Sequence, residues 1–233
     1  MSLIKKNSLV LVSFCLSLNM LSQSMTNDQT TDNVFLSSKT TPVFKGYKNT
    51  MGSIYANKEF QIGSVYKNGK MVASNVALRY NVQAEEIELK ANTSTSATVA
   101  NVIQADQNIS VRILNDEFVY LVSPDKNQKA GYFMVIAEGS KLTIYKKIIK
   151  DFVEGKESAN SYSRDVPDTF KEKEQLYIVS STGGLTKLPK GKAKREKLFA
   201  PMVNQMSTYI ENNNLNLRRE KDFNQALAYF NAL

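Results

Sequence analysis

The chain has 233 residues, 30 Lys and Arg against 22 Asp and Glu for a net charge of +8, a single cysteine and no histidine. The lack of histidine removes the usual general base and nearly every zinc ligand set, and one cysteine leaves no intrachain disulfide. Carboxylates, lysines, tyrosines and hydroxyls remain for chemistry, on a chain long enough for one domain and a small appendage.

The first 24 residues read as a targeting segment. Lys5 and Lys6 precede a mostly apolar run, SLVLVSFCLSLNML at 8–21, and Ser22-Gln23-Ser24 offers small residues to a signal peptidase. Export with cleavage near Ser24 is expected. An uncleaved anchor is the alternative, but the apolar run is shorter than the ~20 residues a spanning helix needs. Cys15 follows Phe14 rather than a small residue, which argues against lipidation. Without this segment 28 basic residues face 22 acidic ones, a balance of +6.

Residues 25–50 are rich in Thr, Ser, Asn and Asp, with no sustained period, and read as a flexible leader that docks late through Val43, Phe44 and Tyr47. Residues 51–190 form the expected β domain, with short alternating runs divided by turn signals. Asn68-Gly69 between FQIGSVYK and KMV is the most specific of these, because both residues tolerate the positive φ of a type I′ turn. Asn115-Asp116, Glu138-Gly139 and Thr182-Gly183-Gly184 mark further reversals, and NTSTSATVAN at 92–101 reads as a connector or short edge.

The stretch LRYNVQAEEIELK at 78–90 holds the first candidate site, Arg79, Asn81, Glu86 and Glu88. Folded about Val82-Gln83-Ala84-Glu85, it places Tyr80 opposite Ile87, Leu78 opposite Leu89, Arg79 opposite Glu88 and Asn81 opposite Glu86. One face is then apolar and the other polar, as a half-buried hairpin requires. Glu86 and Glu88 would stand ~7 Å apart on one strand face, a separation compatible with an inverting glycosidase. Arg79 and Lys90 on the same face would hold these carboxyls ionised, however, which leaves no proton donor. The four residues are therefore a polar strand face open to binding rather than a catalytic pair.

Residues 151–175 are charged and poor in apolar side chains and read as a long exposed excursion. Just before them, Lys146, Lys147 and Lys150 read as guards of an edge strand. A basic segment follows, in which Lys187, Lys190, Lys192, Lys194, Arg195 and Lys197 are opposed only by Glu196. It is the second candidate site. It reads first as a solvated helix start and otherwise as the route to peripheral contact with anionic headgroups. Nucleic acid is not expected, since no aromatic residue interleaves the lysines. Beyond it, Leu198, Met202, Met206, Tyr209 and Ile210 recur at helical spacing, with Pro201 as a kink or a new start, and Phe223, Ala226, Leu227 and Phe230 form a second apolar face.

The order G-S-x-Y-x-N-x-x-F (52–60), G-x-V-Y (63–66), L-R-Y-N (78–81), E-I-E-L-K (86–90) and G-Y-F (131–133), with Y-I-x-x-N-x-L and A-x-x-Y-F-N near the end, resembles a group of uncharacterised exported proteins of Bacteroidetes-type bacteria. That resemblance implies an envelope protein of a Gram-negative cell, in the periplasm ahead of the cell surface, and brings no activity.

The expected fold is α+β, an antiparallel sheet or partly closed β-roll of about ten short strands followed by two or three C-terminal helices in 191–233. The expected function is an exported noncatalytic envelope module that binds an envelope component or polymer, without cofactor or metal. A carboxylate-dependent glycan hydrolase and a carrier for an apolar ligand inside the curved sheet are the alternatives.

Overall fold

The computed structural model describes residues 34–44, 46–91, 98–122, 130–158, 164–181 and 184–233. The targeting segment with Cys15, and the turn residues Thr182 and Gly183, lie outside them. Twelve strands among the described residues make one sheet. In chain order they are β1 (Leu36–Pro42), β2 (Thr50–Met51), β3 (Gln61–Lys67), β4 (Lys70–Asn81), β5 (Glu86–Lys90), β6 (Val99–Ile103), β7 (Ile109–Ile113), β8 (Asp116–Leu121), β9 (Gly131–Ala137), β10 (Leu142–Val153), β11 (Asp168–Ser180) and β12 (Thr186–Lys187).

Across the sheet the order is β1-β6-β5-β4-β3-β7-β8-β9-β10-β11-β12, antiparallel throughout, with β2 added in parallel to β11. The turn chemistry behaves as its residues dictate. Asn68 and Gly69 take φ of 51° and 73° between β3 and β4, the two left-handed positions of a type I′ turn. Leu114 and Asn115 turn β7 into β8.

The sheet is strongly curled. On a flat sheet β4 and β9 would lie ~19 Å apart, four spacings of ~4.8 Å, yet the rings of Tyr80 on β4 and Tyr132 on β9 meet at 5.7 Å. The chain path requires the same curvature. From Pro42, at the end of β1, to Thr50, on the far edge of β11, eight steps reach at most ~29 Å, whereas ten flat strand spacings would need ~48 Å. Strands β1 and β12 do not pair, so the roll stays open. Its inside is filled by Val65, Leu78, Tyr80, Ile87, Val111 and Phe118, all almost wholly buried.

Three helices, α1 (Lys192–Glu196), α2 (Val203–Asn212) and α3 (Glu220–Ala232), close a second core against the β9–β11 end of the sheet. Phe199, Met206, Ile210, Phe223, Leu227 and Phe230 pack there on Leu142, Ile144 and Ile178. Phe199, in a 3-10 turn between α1 and α2, stands at its centre, within 5.2 Å of the Phe230 ring and 6.0 Å of Phe223.

Four expectations change. Residues 36–42, placed in a flexible leader by composition, form strand β1, because their pairing with β6 satisfies a sheet edge that low local hydrophobicity does not reveal. In the expected exposed excursion at 151–175, residues 151–153 and 168–175 continue β10 and β11, while most of its described residues are exposed as expected. Along the whole of β10 and β11 twelve consecutive residue pairs match and cross-strand charges compensate: Lys146 with Glu174 at 2.9 Å, Lys150 with Glu172, and Lys173 with Asp151. Strand β10 is thus an inner strand, and Lys146, Lys147 and Lys150 are ion-paired rather than guarding an edge. The segments 70–72 and 75–81 join into one strand, with Asn75 at φ 59° marking an irregularity in its pairing with β3.

Candidate functional site

The hairpin pairs in the register that its alternation dictates: Leu78 with Leu89, Arg79 with Glu88, Tyr80 with Ile87 and Asn81 with Glu86. At Arg79 and Glu88 its polar face is hidden from solvent. The segment 43–60 crosses over it on the way from β1 to β3, so Arg79 is 4% and Glu88 1% exposed. Burying a charge pair is tolerable only when its remaining donors and acceptors are met. Arg79 donates to Glu88 Oε2 from Nε at 3.1 Å and Nη2 at 2.7 Å, to the Tyr55 hydroxyl from Nη2, and to the carbonyls of Phe44 and Lys58 from Nη1. The rings of Tyr55 and Phe60 lie 3.7 and 4.2 Å from its guanidinium. Glu88 Oε1 accepts from Tyr55 at 3.1 Å and from Asn81.

This cluster is a clamp. It fastens the crossing segment to the sheet, and with both oxygens of Glu88 engaged no carboxylate is presented to a substrate. Arg79, Asn81 and Glu88 are brought together, whereas Glu86 turns to Lys39 on β1. The Tyr55 hydroxyl is pushed up well beyond the ordinary phenol range, first by burial and then by the Glu88 carboxylate.

Two openings flank the crossing segment. One, of about 450 Å³, is lined by Phe44, Tyr55, Phe60, Arg79, Lys58 and Lys90. The other, of about 320 Å³, is lined by Tyr47, Thr50, Phe152, Asp168 and Phe170. The Tyr47 ring stacks on Phe170 at 5.7 Å, Phe152 meets Phe170 at 5.2 Å, and Phe44 meets Tyr47 edge-on at 4.7 Å. Tyr47 is nevertheless 58% exposed, Phe152 53% and Met51 59%. Clustered exposed rings of this kind mark contact surfaces, since burying them elsewhere would be favourable. Sequence singled out Phe44 and Tyr47 as docking residues; Phe152 and Phe170 join them only because they sit opposite each other on β10 and β11.

A second, partly buried polar cluster had little local signal. Glu85, at φ 54° in the β4–β5 loop, reaches across to β9 and β10. Its carboxylate accepts from Lys147 at 2.7 Å, the Tyr80 hydroxyl at 2.8 Å and the Tyr132 backbone N–H at 3.0 Å. Gly131 admits it, as a Cβ there would strike Glu85 Oε2 and Lys147 Nζ. Burial pushes the Tyr80 and Tyr132 phenols far up and draws Lys147 down, with Glu85 opposing that last shift. A lysine inside the apolar run LTIYKKII was the one hint in the sequence.

The basic segment divides. Lys190, Lys192 and Lys194 are exposed around a wide basin of about 890 Å³ that Arg218 also lines, and Lys197 is exposed. Lys192 pairs with Glu196 at 3.6 Å. Arg195, expected among the solvated charges, is 9% exposed, because its guanidinium is drawn to the carbonyls of Pro189 and Leu217 and lies over the Phe223 ring of the second core.

No family model, curated protein or solved structure matches the chain. Among the described residues no helix is long and apolar enough to cross a membrane, and no cluster of three or more acidic, Cys or His residues could hold a metal ion.

Proposed function

We propose that the protein is an exported, noncatalytic envelope module that holds a glycan polymer on the aromatic surface formed by Phe44, Tyr47, Phe152 and Phe170. The observation that carries this reading is the exposure of Tyr47 and Phe152 in a cluster of rings beside a pocket rimmed by Thr50 and Asp168. The C–H face of a sugar ring packs on an aromatic face, while its hydroxyls need polar partners at the rim. The leader pattern at 1–24 supports export to the compartment where such polymers lie.

The hydrolase alternative finds no support in a Glu88 whose two oxygens are both occupied. The carrier alternative finds none in a roll interior filled by side chains. Cosedimentation with purified envelope polysaccharide or peptidoglycan tests the proposal. Wild-type protein should pellet with at least one of them and Tyr47→Ala/Phe152→Ala should stay soluble, with unchanged melting. Equal pelleting of both proteins, or none by the wild type, would overturn it.

A further inference from the structure

Between α3 and the sheet lies a closed-in pocket of about 170 Å³, separate from the aromatic surface. Its floor is apolar, made by Ile144, Leu176, Leu188 and Phe223, and its mouth is charged, with Arg195, Arg218, Glu220 and Asn224. Arg195 is held there by two carbonyls: Nε donates to Pro189 at 2.7 Å and Nη1 to Leu217. Among the described residues Nη2 has no hydrogen-bond partner, and no carboxylate lies within ion-pair distance of the guanidinium. Opposite charge is normally supplied when a cation is buried to this extent. The Asn224 Oδ1 atom is also buried without a partner. Arg195, with no counter-ion, and Asn224, with a buried unpaired amide oxygen, thus line one small cavity from different turns.

We propose that this pocket binds a small carboxylate monoanion with a short apolar tail. Arg195 Nη2 and the Arg218 guanidinium meet the carboxylate, the fork geometry of arginine suiting its two oxygens. Asn224 turns its amide so that Nδ2 donates to the same group. The tail lies on Leu176, Leu188 and Phe223. Two arginines and Glu220 leave a single net positive charge at the mouth. That balance fits a monoanion and disfavours phosphate, whose second charge would face Glu220.

Calorimetry and thermal shift with sodium butanoate and hexanoate test the assignment, with hexanol and inorganic phosphate as controls. Saturable binding of the carboxylates, tighter for hexanoate and with no comparable response to either control, is expected. Arg218 is exposed and its side chain holds no other group, so Arg218→Ala should fold normally and weaken binding about tenfold or more. Leu176→Phe, which fills the floor and leaves the charges in place, should remove hexanoate binding. Any of these outcomes would overturn the proposal: no response to either carboxylate, hexanol binding as tightly as hexanoate, phosphate binding preferentially, or full affinity in folded Arg218→Ala and Leu176→Phe.

Discussion

Arg79 and Arg195 are both buried, but they are held in different ways. Arg79 has a carboxylate, a phenol and two carbonyls around it and a ring on each side, and every contact belongs to the clamp that ties residues 44–60 to β4 and β5. Arg195 has two carbonyls, one ring and no counter-ion, and it borders the closed-in pocket beside α3. A saturated buried charge is architecture, because nothing is left with which to recognise a ligand. An unsaturated one retains a desolvated charge that a ligand can neutralise.

The largest expected effect probes the clamp. Arg79→Leu leaves Glu88 buried without its cation and should destabilise by ~3–5 kcal/mol in urea or thermal unfolding. A cost below ~1 kcal/mol would mean that the crossing segment is held by other contacts.

Alkaline pH acts on the same half of the molecule. Unfolded phenols release protons near 10.0, while burial keeps Tyr80 and Tyr132 protonated well above that in the folded chain. The native state then binds more protons than the unfolded state, so stability falls as pH rises through 10. The slope is up to ~1.4 kcal/mol per pH unit for each phenol, ~3 for the pair. Lys147 works in the opposite sense: its lowered value makes the unfolded chain the better proton binder below 10.5, and it adds stability as pH rises toward that point. Urea midpoints at pH 9, 10 and 11 should therefore drop most steeply in the last step, and Tyr80→Phe should flatten that drop.

Arg195→Met sharpens the contrast. It removes two hydrogen bonds but orphans no charge, so a cost of ~1–3 kcal/mol is expected, below that of Arg79→Leu. The reverse ranking would make Arg195 the stronger structural anchor. The smallest effect belongs to the exposed lysines. Changing Lys190, Lys192 and Lys194 together to Gln should move stability by less than ~0.5 kcal/mol and leave sedimentation with anionic vesicles unchanged, as screened surface charges do. Salt-sensitive vesicle binding lost in that variant would instead make the basin a membrane contact, at ~1 kcal/mol per lysine.

Legibility followed periodicity. Strand alternation carries the β4–β5 register because a one-residue slip would place Leu78, Tyr80, Ile87 and Leu89 on the wrong face, and the helical seam of Met206 and Ile210 follows from 3.6-residue spacing. Tyr209, counted in that seam, instead stacks on Tyr229 with ring centres at 3.8 Å. Phe199 escaped notice because a 3-10 turn breaks the period at the residue that fills the core. The aromatic surface was half legible. Phe44 and Tyr47 stand out in a polar segment, while Phe152 and Phe170 look like isolated apolar residues until β10 and β11 pair.

The amino-acid sequence alone determined that this is an antiparallel sheet with C-terminal helices, where the Asn-Gly turn falls, and which residues of each strand share a face, since these depend on steric and hydrophobic patterns spanning a few residues. Tertiary structure alone decided which faces are covered. That Arg79 and Glu88 lie under residues 44–60, that Glu85 reaches Lys147 across the roll, and that Arg195 leaves the basic segment for a cavity beside Asn224 all depend on contacts between residues 20 or more positions apart. Those contacts exist because the sheet curls, and curl accumulates from the small twist of every strand pair rather than from any local signal in the chain.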